Sequence, residues 1–255
     1  MKIVVIGGTG RIGRMVVERL AEQGHQVVAA APSTGVDVLT GKGLAAAMSR
    51  ADVVVDLSNS PSFEDQEVLS FFQTAGHNLL ALAREQRVRH HVVLSVVGTD
   101  RLSSSGYFRG KIAQERLVRE SGVPYTIIHS TQFFEFIPSI VQSAGDEQGI
   151  RLPMALVQPI ASEDVAEAVA RIALQAPAFG LVEIAGPDRT PLLKLVQRFL
   201  RATGDTRHVA EDSQARYFGA RLAEDTLVPV GRAWLGKRAF ESWLATRGQV
   251  HASSA

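Results

Sequence analysis

Not one of the 255 residues is a cysteine, which excludes disulfide frameworks, thiolate nucleophiles and thiolate-held metals. Neither sign of charge dominates. The 27 Lys and Arg face 26 Asp and Glu for a net charge of +1, so no strong field draws nucleic acid or an anionic membrane to the surface. No basic run with interleaved aromatics appears, and nucleic-acid binding normally leaves such a footprint. No apolar stretch is long enough for a membrane-spanning helix, and the first apolar run is too short for a secretory leader. Internal repeats are missing, as is the Gly-x-Ser-x-Gly elbow of a serine nucleophile. These absences lead to the expectation of a cytoplasmic protein with a small-molecule partner, no nucleic-acid or membrane partner and no metal. Hydrophobic residues at 45% and charged ones at 21% suit a globular chain able to bury a substantial core. Monomer and homodimer both stay open.

The feature around which the chain is organised is its start. Ile3-Val4-Val5-Ile6 reads as a strand buried on both faces. It runs into Gly7, Gly10 and Gly13 and then into a helical spacing of Ile12, Val16, Val17 and Leu20. Gly7 allows a tight exit from the strand, Gly10 a close approach of backbone to a pyrophosphate, and Gly13 close packing of helix on sheet. The positive end of that helix then faces the phosphates. Strand, glycines and helix stand in the order a dinucleotide fingerprint requires, so Gly7, Gly8, Thr9, Gly10, Arg11, Ile12 and Gly13 are the first cofactor residues.

Strands then alternate with helices. Strands are expected at 25–31, 36–39, 52–57, 90–97 and 125–129, and helices at 43–50, 64–86 and 106–121. Gly76 is a weak point in the second of these helices. This rhythm predicts an α/β fold, a doubly wound parallel sheet of the Rossmann type covered on both faces. Residues 1–130 form the dinucleotide-binding core. Residues 131–255 complete it and add a small C-terminal substrate-side subdomain. In the later part, Phe133, Phe134 and Phe136 form either core or an apolar wall over the nicotinamide, and 145–160 reads as hairpin-like. Ser162 is expected to cap a helix over 163–174, with Asp164 in its first turn. A strand is expected at 180–185 and a helix at 191–202. Trp234, Trp243 and Phe240 are expected to pack the tail down.

Ligands of such sheets bind beyond the carboxyl ends of the strands. That adds Ser33, Thr34 and Asp37 after the second strand, and Ser58 and Asn59 after the 52–57 strand, to the cofactor residues. Tyr107 and Lys111 lie four apart at a helix start, on one face. A phenol has an unperturbed pKa of about 10, and a neighbouring ammonium would bring it toward working range. Ser95 could hold a substrate oxygen against that hydroxyl. His90 and His91 lack a carboxylate at ligand spacing and are expected to face solvent. His129 is either a core histidine or part of the nicotinamide site.

Gly7 to Gly13, the segment 52–61, Ser95, Tyr107-Phe108-Arg109-Gly110-Lys111, Val123 to Ile128 and Pro159 to Ala166 together resemble an atypical short-chain dehydrogenase/reductase of the NmrA-like branch. The resemblance covers nearly the whole chain. It implies a bound NADP(H), with NAD possible, and a Ser95–Tyr107–Lys111 catalytic trio in which Lys111 also binds the nicotinamide ribose. It further implies reduction of a carbonyl or quinone-like compound, or alternatively a non-catalytic redox sensor. A sugar-nucleotide epimerase fits less well, because the chain has little room for a nucleotide-sugar lobe. The second strand ends without the acid that would hold a ribose 2′-hydroxyl, which favours NADPH.

Overall fold

The computed structural model describes residues 1–146 and 148–252, the last six of these as backbone alone. The chain divides into two compact units, Met1–His129 with Val165–Val182, and Ser130–Asp164 with the residues from Glu183 onward.

The first unit opens with β1 (Lys2–Ile6), α1 (Arg11–Glu22), β2 (Gln26–Ala30), α2 (Leu44–Met48) and β3 (Val53–Asp56). It continues with α3 (Asp65–Glu85), β4 (His90–Val96), α4 (Gly106–Glu120) and β5 (Tyr125–Ser130). Ile3 to Ile6 of β1 and all of β3 are buried, as strands covered on both faces must be. On α1, Ile12, Val16 and Leu20 are buried at fourfold spacing, the stripe that seats a helix on a sheet.

The second unit and the return to the first contain α5 (Ile137–Ala144), β6 (Gly145–Asp146), β7 (Gly149–Leu152), β8 (Leu156–Val157), α6 (Ser162–Ala173) and β9 (Gly180–Ala185). The chain ends with β10 (Thr190–Pro191), α7 (Leu192–Thr203), β11 (Val209–Glu211), β12 (Trp234–Leu235) and α8 (Phe240–Ala252). The central sheet has seven strands in the order β12-β9-β5-β4-β3-β1-β2. Its pairings β1–β2, β1–β3, β3–β4 and β9–β12 are parallel. Chain direction across the sheet reverses at β1, where β2 lies on one side and β3 on the other. A crevice opens at such a switch point, and ligands of this architecture bind there.

The expected strand at 36–39 does not form. Asp37 accepts the N–H groups of Leu39 and Thr40 and closes a turn with Lys42. Gly35, Gly41 and Gly43 all have positive φ, so the segment turns repeatedly and never extends. Gly76 does not interrupt α3. A Cβ there would come 2.9 Å from Leu117 Cδ1, so the missing side chain makes room for α4. Gly110 does the same in reverse, since its Cβ would meet Val68 and Phe72 of α3 at 2.7 and 2.8 Å.

His90 and His91 are buried, not solvent-facing. Successive residues of β4 point to opposite faces of the sheet, and both faces are covered here, which takes both rings out of water. His90 Nε2 meets Thr126 Oγ1 at 2.8 Å, and burial pushes the His90 imidazole down to about 4.

In the second unit β6 and β7 pair antiparallel, which is the hairpin expected there. Ser162 is itself the first residue of α6, one place inside the cap position expected of it, and its hydroxyl donates to Glu135 Oε2 at 2.6 Å. Asp164 lies in the first turn of α6, as expected, and is fully buried. It accepts the Lys237 and Arg238 N–H groups at 3.0 and 2.9 Å and pairs with the Arg238 guanidinium. Phe134 is core, its ring 5.2 Å from Phe240 and 5.5 Å from Trp243, and Phe136 packs on Phe218 at 5.4 Å.

Candidate functional site

The sequence Gly7-Gly8-Thr9-Gly10 leaves β1 and enters α1 by a turn whose glycines are forced for different reasons. Gly7 has φ +72°, and a Cβ on it would strike Leu57 O at 2.9 Å. Gly13 is the tightest point, because a Cβ would sit 2.1 Å from Gly7 O and 2.8 Å from Gly8 Cα. Gly8 was expected only as part of the motif, yet it is packed just as hard: its Cβ would lie 2.7 Å from Val5 O and 2.8 Å from Ala29 Cα. Gly10 differs. It is exposed at ordinary φ, and a Cβ there would meet only Gly7 O, at 3.2 Å. Packing inside the protein therefore accounts for Gly7, Gly8 and Gly13. The bare backbone of Gly10 is left for what approaches from outside.

No side chain caps α1, so the N–H groups of its first turn, which have no partner within the helix, face the same opening. That cradle fits a pyrophosphate. Ile12 is buried and belongs to the core, while Arg11 is exposed at the helix start. Thr9 and Ser33 are brought together, with 3.2 Å between their hydroxyl oxygens. Thr34 and Asp37 are not free in this structure. The Thr34 hydroxyl serves its own turn through Ala29 O, Ala31 O and Ala31 N–H. The Asp37 carboxylate serves the turn described above, whose Leu39 N–H holds it below the usual carboxylate range. The cofactor role expected of Asp37 finds no support in this geometry.

Beyond β3, Ser58 donates its N–H and its hydroxyl to Asp56 Oδ1, at 2.9 and 2.6 Å. Asn59 Oδ1 accepts the Tyr107 hydroxyl at 3.1 Å. The Tyr107 ring lies against Phe63, Phe72 and Phe108, with centroids 6.1, 6.3 and 5.5 Å away. Burial raises its phenol to about 12, opposite to the downward shift expected from Lys111. The cause is the position of the ammonium. Lys111 Nζ runs inward, donates to Leu94 O at 2.7 Å and Gln114 Oε1 at 2.5 Å, and lies 4.7 Å from the Phe72 ring centre. Desolvation lowers it to about 8, against the opposing pull of Asp56 and Glu115.

Ser95 is buried and gives its proton to Glu115 Oε1 at 2.6 Å. The same oxygen lies 2.7 Å from His129 Nε2, while Glu115 Oε2 takes Arg119 at 3.0 Å. Burial alone would raise the Glu115 carboxyl, but His129, Ser95 and Arg119 together hold it low. His129 is thus a partnered core histidine. A hydroxyl whose proton is committed to a carboxylate has none to offer a substrate oxygen, so the role expected of Ser95 is not supported. Among the described residues, no hydrogen bond joins Ser95, Tyr107 and Lys111 to one another.

Sequence reading missed Asp56, Gln114 and Glu115. Asp56 had a signal, as a carboxylate closing the all-valine run of β3. Glu115 had one too, standing four residues after Lys111 and four before Arg119.

A fold with its switch point beside a glycine turn defines a dinucleotide-binding protein, and the comparisons agree. Residues 7–176 match the NAD(P)H-binding family model, and the chain belongs to that family, among the atypical, NmrA-like short-chain dehydrogenases/reductases. It is 34% identical over 176 residues to a (4-alkanoyl-5-oxo-2,5-dihydrofuran-3-yl)methyl phosphate reductase of Streptomyces griseus, covering 62% of this chain and 58% of that one. It is 30% identical to isoflavone reductase homolog P3 of Arabidopsis thaliana, covering 55% and 52%. The chain therefore spans only a little over half the length of these curated relatives. In fold it is similar to MoeE5 solved with UDP-glucose and NAD, at a TM-score of 0.74, 18% identity and coverage of 100% and 99%. A UDP-glucose 4-epimerase of Thermotoga maritima follows at 0.70, 15% identity and coverage of 100% and 99%. Among the described residues no helix is long and apolar enough to cross a membrane.

Proposed function

We propose that the protein is an NADPH-dependent reductase of a carbonyl or quinone-like small molecule. One observation carries the reading. The first unit holds both a glycine turn with backbone left open at Gly10 and a half-buried phenol, Tyr107, kept fully protonated at neutral pH. The dinucleotide, when bound, supplies hydride. Tyr107 supplies the proton, and Asn59 orients its hydroxyl. Lys111, one helical turn further on, is the ammonium expected to serve that proton transfer, and desolvation brings it down to about 8. The reductases among the relatives support the reaction type. NADPH is favoured because β2 ends at Ala30 and is followed by Ala31, with no acid there to repel a 2′-phosphate.

A second reading, a dinucleotide-binding redox sensor without turnover, is favoured by the separate commitments of Ser95 and Lys111 to protein partners. The experiment is steady-state NADPH oxidation with a panel of quinones, aldehydes and ketones. Tyr107→Phe keeps the ring packing and is expected to lower turnover by ~10²–10⁴-fold. Equal turnover by the variant removes Tyr107 from the chemistry. Tight NADPH binding with no turnover of any panel member by wild type hands the reading to the sensor.

A further inference from the structure

We infer that Asp56 and Gln114 form a buried relay that sets the proton affinity of Lys111, with Asp56 as the source of charge and Gln114 as its positioning residue. The chain of contacts is unbroken. Lys111 Nζ donates to Gln114 Oε1 at 2.5 Å, and Gln114 Nε2 donates to Asp56 Oδ2 at 2.9 Å. Asp56 Oδ1 takes both donors of Ser58. Asp56, Lys111 and Gln114 are each about 98% buried, so water does not screen the Lys111–Gln114 and Gln114–Asp56 bonds, and each is worth more than at a surface.

The geometry assigns the amide its orientation. Both oxygens of Asp56 accept, Oδ1 from Ser58 and Oδ2 from Gln114, so Gln114 turns its NH₂ toward Asp56 and its carbonyl oxygen faces the ammonium. Had the amide been reversed, two donors would meet at Lys111. Asp56 thus acts twice, through its charge and by fixing which end of Gln114 the lysine sees. Its loop-side oxygen is held by Ser58, where the chain leaves β3 toward the expected cofactor residues.

The groups facing Lys111 from each neighbouring element define the electrostatics. They are Asp56 from β3, Glu115 from α4 itself, the uncharged Phe72 ring from α3, and Leu94 O from β4. His91 of β4 is buried near Asp56, and burial disfavours its charged form, so it adds no competing cation at neutral pH. Asp56 and Glu115 are then the two anions that keep an ammonium charged in this core. Only Asp56 is bridged to it through Gln114.

The relay bears on catalysis only if Lys111 belongs to the proton-handling machinery proposed above, so its test reads Lys111 directly. The chain has five lysines, and with ¹³Cε-labelled lysine the Lys111 resonance is the one lost in Lys111→Met. Asp56→Asn is expected to lower the Lys111 midpoint by about one pH unit, the low end of what an opposite charge exerts. Gln114→Met, close in shape but without an acceptor or donor, is expected to lower it too. If either variant fails to fold, as judged by its near-ultraviolet circular dichroism, the other decides. A midpoint unchanged or raised in a folded variant overturns the relay, since a merely structural role for Asp56 or Gln114 predicts no shift. This titration needs neither cofactor nor substrate. A protein that turns over nothing yet shows both downward shifts keeps the relay and loses the reductase reading. In an active protein the pH–rate limb assigned to Lys111 is expected to move with the resonance.

Discussion

Replacing Gly13 by alanine separates what the glycine turn does for the fold from what it does for a ligand. The new Cβ would lie 2.1 Å from Gly7 O, 2.8 Å from Gly8 Cα and 2.9 Å from Gly7 C. All three are backbone atoms of a turn already fixed by Gly7 N–H on Ala30 O and Gly10 N–H on Gly7 O, at 2.8 and 2.9 Å. No side chain can swing away, so α1 must lift off the turn by an ångström or more. That also opens the seams held by Ile12, Val16 and Leu20. Overpacking of this kind costs about 1–3 kcal/mol, and backbone on every side puts Gly13→Ala at the upper end. For a chain of this size each kcal/mol moves the melting temperature by roughly 2–4 °C, so a fall of about 6–12 °C is expected. Gly10→Ala is the paired control. Its Cβ meets one atom at 3.2 Å in a φ that alanine accepts, so its melt should stay within about 3 °C of wild type. The assays are thermal melts without ligand and calorimetric titration with NADPH. Gly10→Val, which puts a branched side chain on the open face, is expected to retain most of the stability and lose NADPH affinity. Equal melting temperatures for Gly13→Ala and Gly10→Ala would refute the packing argument, and undiminished NADPH affinity in folded Gly10→Val would refute the ligand argument.

Three further outcomes are expected. NADPH should bind more tightly than NADH in matched salt, and calorimetric equality or reversal would contradict the reading of β2. The His90 imidazole titrates near 4 when folded and at about 6.5 when unfolded, so the unfolded state takes up the proton first. This contribution to stability is complete above pH 6.5 and is lost as pH falls toward 4. His90→Asn, which can still bond Thr126, should flatten urea-melt stability across that window, and an unchanged slope would show that other groups govern it. Asp164→Asn should cost about 2 kcal/mol in urea melts, the scale of a buried hydrogen-bonded charge, because Arg238 loses its partner while the Lys237 and Arg238 N–H groups keep an acceptor.

The glycine turn was legible because its causes are local. A positive φ at Gly7 and a helix pressed on the turn at Gly13 both follow from strand, glycine and helix standing in that order. The parallel sheet was legible for a related reason, since valine-rich runs of four or five residues between amphipathic stretches have few other places to go. What misled was burial decided by distant partners. His90 and His91 look like a polar lead-in to a strand, and only the cover on both faces of the sheet at β4 makes them core. Asp37 looks like a loop carboxylate awaiting a ligand, and only the backbone of Leu39 and Thr40 shows it spent on its own turn. Asp56 and Glu115 were missed because a sequence does not say which carboxylates will be enclosed, nor which serine, histidine or glutamine will enclose them.

Hydrogen-bond saturation therefore sorts this site better than residue type does. Ser95 has given its proton to Glu115. Lys111 spends its donors on Leu94 O and Gln114, with the Phe72 ring beside it, and Thr34 closes its own turn. Ser95 and Lys111 are buried and cannot turn to a ligand without giving up a bond that burial makes costly, whereas Thr34 is exposed and is held only by its own turn. The groups left with capacity are fewer. Gly10 spends its N–H on Gly7 O and its carbonyl on Arg14, so what it leaves is room where a side chain would stand, and the first-turn N–H groups of α1 beside it have no partner within the helix. Between Thr9 and Ser33 a single contact uses one hydroxyl proton, so the other remains to be donated. Tyr107 is held by one neutral acceptor, Asn59, which a better acceptor can replace. Donors outnumber acceptors in that remaining set, and no carboxylate is part of it. A site composed this way suits an anion beside Gly10 and an oxygen that gains negative charge beside Tyr107, which is what the proposed phosphate binding and carbonyl reduction would demand.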